Sequence, residues 1–268
     1  MKLKPIEPKS RVRLRDQDAH APRGHPSEEE LEARLDKLTG RIDELQHALF
    51  AEGKRAVLVV LQGRDGSGKD GVARKVFGPL DPQGCHVTSF KAPTEDELAH
   101  DFLWRVHKAT PARGVIGLFN RSHYEDVLVV RVENLVPPKV WKRRYEQINH
   151  FERILAQNGT TVLKFFLHVS RDEQKARMIA RLDDPTKNWK FSPGDLEVRG
   201  KWDAYTDAYR DALTRCSTPW APWYVVPADD KDVRNYLIAR TVYETLRRMK
   251  PKYPKADPEV LALRDTIV

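Results

Sequence analysis

Short, unbroken apolar runs alternate along this chain with longer stretches in which apolar residues recur every three or four positions. RAVLVVLQG (55–63), GVIGLF (114–119) and TTVLKFFLHV (160–169) are such runs, and HVTSF (86–90) and WYVVP (223–227) are shorter ones. Runs of this length, rich in Val and lacking polar alternation, suit strands buried on both faces, as in parallel sheets. The intervening stretches carry helix signals. Ser27 with Glu30 makes a capping box for a helix to about residue 50, and Thr94 with Glu97 opens another through about Lys108. Pro137 and Pro138 start a long helix that Asn158-Gly159 stops, and Ser170 with Glu173 caps the next. Helices over about 69–77 and 231–249 follow the first and last runs. Strands alternating with helices predict an α/β fold: a doubly wound, parallel, five-stranded sheet with helices on both faces. Residues 1–26, polar, basic and Pro-bearing, read as an arm, 27–250 as one domain, and 251–268 as a polar tail.

Composition narrows the class. With 268 residues, 40% hydrophobic and 32% charged, the chain has the make-up of a soluble globular protein that buries a sizeable core. No run approaches the ~18 apolar residues of a membrane span, and no apolar segment follows the basic N-terminus as in a secretory signal. Cys85 and Cys216 have neither metal-ligand spacing nor the abundance of a disulfide framework, so the cytoplasm is expected. The nine histidines show no zinc spacing, and no nucleophile elbow or nucleic-acid-binding module is present. Trp141, Trp189, Trp202, Trp220 and Trp223 read as packing residues. A net charge of +8 favours a polyanionic partner, although charge also serves plain solubility.

The chemistry concentrates in three places. In LQGRDGSGKDG (61–71), Gly63, Gly68 and Lys69 have the G-x-x-x-x-G-K spacing of a phosphate-binding P-loop, but Asp70 stands where Ser or Thr is usual. Gly63, Gly66, Gly68 and Gly71 let backbone N–H groups converge on an anion, with the following helix's positive end aimed at the same point. Lys69 would reach along the phosphate chain. A carboxylate facing phosphate is repulsive unless a divalent cation intervenes, so Asp65 reads as a magnesium ligand, while Asp70 suits a first helical turn regardless. The third strand ends in NRSHYED (120–126), where an Asp commonly holds magnesium; here stand Asn120 and, further on, Glu125. Arg121 offers a five-donor fork to phosphate, whereas His123 and Tyr124 could pack, cap or touch ligand. Finally, KARMIARLDDPTKNWKFSPGDLEVRGKW (175–202) sets Arg177 and Arg181 four apart on one helix face, with Lys187, Lys190, Arg199 and Lys201 beyond. A cation-bearing segment with Pro and Gly at its bends predicts a lid over phosphates.

GRDGSGKDG, FKAPT, FNRSHYEDVL and RLDDPTKNWKFSPGDLEVRGKWDAYTDAYRDAL, in this order between about residues 30 and 250, together resemble the polyphosphate kinase 2 family. The resemblance implies a P-loop kinase with a helical lid that moves phosphoryl groups reversibly between inorganic polyphosphate and AMP, ADP or ATP. It implies Mg2+, with Mn2+ as the substitute, and a homo-oligomer, dimer or tetramer, with no nucleic-acid or membrane partner. On it, Asp65, Lys69, Arg121, Glu125 and Arg181 are the expected catalytic residues, and Asp65, Asn120 and Glu125 the metal-holding set. Gly63, Arg64, Gly66, Ser67, Gly68, Lys69, Asp70 and Lys75 are expected on the donor phosphates, with Arg177, Arg181, Lys187, Lys190 and Lys201 from the lid. Lys91, Pro93, Thr94, Asn120, Arg121 and Ser122 are expected on the nucleotide. Many members have Asp at the position of Asn120 and Asn at that of Glu125; the swap resembles the subgroup (class III) that accepts both AMP and ADP. Two other readings stand beside this one: an ATP-dependent nucleoside monophosphate kinase, and a non-catalytic polyanion-binding protein with a P-loop.

Overall fold

The computed structural model describes residues 1–267. Strands β1 (Ala56–Gly63), β2 (Cys85–Ser89), β3 (Ile116–Asn120), β4 (Thr160–His168) and β5 (Trp223–Pro227) form one sheet. Its order is β2-β3-β1-β4-β5, and every neighbouring pair is parallel. β1 is central and buried along its whole length, as its unbroken apolar run requires. The chain leaves β1 toward β2 and returns past it to β4. The carboxyl ends of β1, β3 and β4 therefore open into the crevice where such sheets bind ligands.

Alternate residues of β1 feed two separate cores. Val57, Val59 and Leu61 pack with Ile42 and Leu49 of helix Glu28–Glu52 and with Leu237 and Val242 of helix Lys231–Met249. Leu58 and Val60 pack on the opposite face with Ile148 and Phe151 of helix Pro138–Gln157 and with Tyr209 and Leu213 of helix Trp202–Cys216. Helices thus cover both faces.

The expected single helix over 94–108 is instead two short ones, Glu95–Leu98 and Trp104–Ala109. Asp101 restarts the chain between them: its side chain accepts from Leu103 N–H at 2.9 Å and its carbonyl from Trp104 N–H at 3.0 Å. The helix after the glycine loop begins as α-helix, Lys69–Val72, and continues as a π turn, Ala73–Phe77. Helix Trp202–Cys216 lies in a stretch the sequence left unassigned. The N-terminal residues lie against the domain: Ile6 N–H donates to Trp223 O at 2.8 Å, and Ser217 Oγ donates to Ile6 O at 2.6 Å. Among the described residues no helix is long and apolar enough to cross a membrane.

Candidate active site

The loop at the end of β1 has a backbone that only glycine adopts easily. Gly68 sits at φ +94°, and a Cβ there would lie 2.0 Å from Nη1 of Arg234, a residue of helix Lys231–Met249. Gly63 is equally confined, since a Cβ would meet Leu167 O and Ser67 Oγ, each at 2.7 Å. Lys69 is buried at the start of the helix, and its ammonium donates to the loop's own carbonyls, Gly63 O at 2.7 Å and Arg64 O at 3.2 Å. Burial, with the Arg121 charge adding to it, pulls its pKa down to about 8. An ammonium held on neutral carbonyls is poised to gain from an arriving anion.

β3 delivers the second group. Arg121 follows the strand directly at φ +61°, a left-handed conformation rare outside glycine, and its N–H donates to Leu61 O at 3.1 Å. This aims the guanidinium between two carboxylates: Nη2 donates to Asp65 Oδ1 at 2.7 Å, and Nη1 lies 3.7 Å from Glu125 Oε2. Burial lowers the Arg121 pKa, but Glu125 and Asp65 more than offset it, so the group stays charged. Asn120 Nδ2 donates to Asp70 Oδ1 at 2.8 Å, tying the end of β3 to the first turn after the loop.

Beneath this turn lies a sealed polar cluster that sequence reasoning did not foresee. Lys164 of β4 bonds Glu152 Oε2 at 2.5 Å and Tyr124 Oη at 2.8 Å, and Glu152 Oε1 is 3.3 Å from His123 Nε2. Burial lowers the Lys164 pKa, with Glu152 opposing it. His123 and Tyr124 therefore anchor the His123–Val127 turn that carries Glu125, and neither lines the cleft.

Two clefts adjoin at this point. The first, ≈ 720 Å³, is lined by Asp65, Gly66, Gly68, Lys69 and Asp70 on one side and by Arg177, Arg181, Lys187 and Lys190 on the other. Asn120, Arg121, Lys91, Asp195 and Lys231 also line it; Lys231 is a cation the sequence reading missed. The second, ≈ 560 Å³, has an apolar wall of Phe90, Pro93, Leu98, Phe102, Val129 and Leu135. Arg105, Arg144, Glu97, Glu125 and Asp126 are among its polar groups, and burial pushes the Asp126 carboxyl up to about 6 despite Arg144 at 2.8 Å. Phe90, Lys91 and Arg121 line both clefts.

Several expected residues lie elsewhere. Arg64 turns away from the cleft, stacks on Trp202 at 3.9 Å and donates from Nη2 to Trp202 O at 3.1 Å. Ser67 is buried behind the loop, and Ser122 is buried accepting from Gln62 Nε2 at 3.1 Å and Tyr124 N–H at 3.2 Å. Thr94 caps helix Glu95–Leu98. Lys75 faces Glu32 at 4.0 Å, and Lys201 pairs with Glu133, so neither enters the cleft. Arg177 lines it but is tied down, donating to Gly66 O at 2.8 Å and to Ala228 O and Asp229 O at 2.7 Å each. Trp189, expected to pack, is 73% exposed.

A glycine loop between the central parallel strand and a helix, a buried lysine in it, and arginines facing it define a P-loop phosphotransferase. The family profile described as polyphosphate kinase 2 (PPK2) matches residues 25–254. The chain belongs to this family. It is 54% identical over 220 residues to the AMP/ADP-polyphosphate phosphotransferase of Meiothermus ruber, covering 82% of each chain. It is 46% identical over 244 residues to the ADP-polyphosphate phosphotransferase of Rhodopseudomonas palustris, covering 85% of this chain and 84% of that one. The crystal structure of polyphosphate kinase 2 from Arthrobacter aurescens TC1 superposes with a TM-score of 0.89 at 44% identity, covering 92% of this chain and 89% of that chain.

Proposed function

We propose that the protein transfers the terminal phosphoryl group of inorganic polyphosphate to AMP and ADP, reversibly. The observation that carries this is the pairing of clefts. A cationic one is lined by the P-loop and by Arg177, Arg181, Lys187 and Lys190, and an apolar one opens on the other side of Arg121. A polyphosphate chain has no nucleoside to anchor it, so charge along a groove must fix its register. The apolar cleft, with Arg105 and Arg144 among its lining groups, suits a nucleoside with its phosphate pointing toward Arg121.

The acceptor oxygen is already ionised near neutral pH, so no strong general base is required. Catalysis then rests on alignment and on cations around the transferring group: Lys69 from the loop, Arg121 from β3 and Arg181 from the lid. The donor set fits magnesium or manganese. Asp65, Glu125 and the Asn120 carbonyl offer only hard oxygens, and among the described residues no cluster of three or more His, Cys, Asp or Glu side chains forms a ready-made cage. One or two carboxylates sharing the ion with substrate phosphates is the usual magnesium arrangement. A metal held there supplies further neutralisation of phosphate charge. The segment 175–202 acts as the lid, and a dimer or tetramer in the cytoplasm is the expected working form.

The test is direct. Purified protein, magnesium, long-chain polyphosphate and AMP should yield ADP and then ATP in sequence. Phosphorylation of AMP from ATP alone, with polyphosphate inert, would exclude this reading.

A further inference from the structure

Arg234 belongs to the first turns of helix Lys231–Met249 and reaches under the glycine loop. Only 3% of it is exposed. Its guanidinium touches the loop where Gly68 has no side chain, and Nη1 donates to Ser67 O at 3.3 Å. Nε and Nη2 both donate to Asn235 Oδ1, at 3.2 and 2.9 Å. All of these acceptors are neutral. Among the described residues no carboxylate oxygen lies within ion-pair distance of Arg234, whereas the buried Lys164 has Glu152 at 2.5 Å. Burial pulls its pKa down to about 10, and the Arg177 charge adds to this. It remains protonated near neutral pH nonetheless.

A buried, unpaired guanidinium costs stability unless something nearby compensates it. A hydrogen-bonding neutral residue would brace the loop without that penalty, so bracing alone does not account for a charge here. The cationic cleft is on the other side of the same loop backbone, where phosphates would lie. We propose that Arg234 is a positioning residue for the donor: its charge acts through Gly68 and is compensated only when polyphosphate occupies the loop. The inference rests on the polyphosphate reading above. It adds that the anion-free protein is held in a less stable, charged state that donor binding relieves.

Two variants separate charge from packing. Asn235→Asp places a carboxylate on the atom that already accepts from Arg234, with almost no change of shape. Arg234→Met removes the charge and keeps much of the volume. Melting temperature is measured with and without inorganic tripolyphosphate, and KM is measured for polyphosphate and AMP separately. Asn235→Asp is expected to melt higher than wild type without anion, and its tripolyphosphate-induced shift should shrink. Its KM for polyphosphate should rise roughly 10-fold, the order expected for one compensated charge near the phosphates, while KM for AMP stays within twofold. Arg234→Met should show the same rise in polyphosphate KM, and Arg234→Lys should recover most of the affinity. If Asn235→Asp gains stability but keeps wild-type polyphosphate KM and shift, Arg234 is only a brace and the proposal falls. Should wild type itself show no tripolyphosphate shift and no polyphosphate-dependent ADP formation, it is the proposed function that fails instead.

Discussion

Arg121 sits between Asp65 and Glu125, bonded to one and close to the other, so three charged groups are locked together beside a site built for anions. Asp65→Asn loosens that clamp and removes a proposed metal donor, so kcat/KM should fall by at least ~10²-fold in a coupled ADP assay. Lys69→Ala should cost as much by stripping charge from the transition state. Gly68→Ala must both adopt φ +94° and displace Arg234. It should therefore melt well below wild type and lose activity, whereas Gly40→Ala, with open space around it, should do neither. The pH response follows from Lys69. With its pKa at about 8 in the anion-free protein, the ammonium is charged below that pH and increasingly neutral above it. Phosphate binds the charged form, so binding above pH 8 takes up a proton. KM for polyphosphate should then be flat below about pH 8 and climb toward ~10-fold per pH unit above it. A flat profile to pH 9.5 would show that Lys69 is already charged there before donor binds.

Helix Arg171–Asp183 divides into a fixed end and a free end, and this predicts different fates for two arginines one turn apart. Arg177 clasps the carbonyls of Gly66, Ala228 and Asp229, whereas Arg181 has only Asp195 of helix Pro193–Gly200, 3.8 Å away. Arg177→Ala should lower the melting temperature along with activity. Arg181→Ala should leave melting unchanged and reduce kcat, because it removes a cation that lines the cleft without bracing the loop. The strands and the glycine loop were legible in sequence because unbroken apolar runs and glycine spacing are local signals. The break at Asp101 was not, since a capping box at Thr94 does not say where its helix stops. Nor was the direction of a long side chain: Arg64 and Lys201 share the charge pattern of Arg181 and Lys190. Only the packed neighbours, Trp202 for one and Glu133 for the other, decide that they leave the cleft. Lys231 and Arg234 were missed for the converse reason. Nothing near them in sequence marks phosphate chemistry, and it is the return of β5 to the sheet edge beside β4 that brings their helix to the loop.

At the scale of the whole molecule, the surplus of +8 is not spread evenly in its effect. Lys91, Arg181, Lys231 and the Lys187–Lys190 turn bring cations to one cleft from separate parts of the chain, so a linear polyanion can meet several at once. A short nucleotide can meet only those nearest the loop. Binding a polyanion releases its condensed counterions, so affinity falls with salt in proportion to the phosphates neutralised, as for nucleic acids. This predicts a steep rise of KM for long-chain polyphosphate between low and physiological salt. The rise for AMP should be shallow if, as proposed, the apolar cleft carries much of its binding. Lys187→Ala and Lys190→Ala should each flatten the polyphosphate slope by roughly one counterion, and Lys75→Ala, which faces Glu32 outside the cleft, should leave it unchanged. An ATP-using kinase with an incidental basic surface would behave otherwise: ATP would be the faster donor, and its KM would respond weakly to salt and to Lys187 or Lys190. Initial rates with each donor across one salt series, in wild type and these three variants, distinguish a groove from a surface charge. Equal slopes in all four proteins would remove the groove from the account.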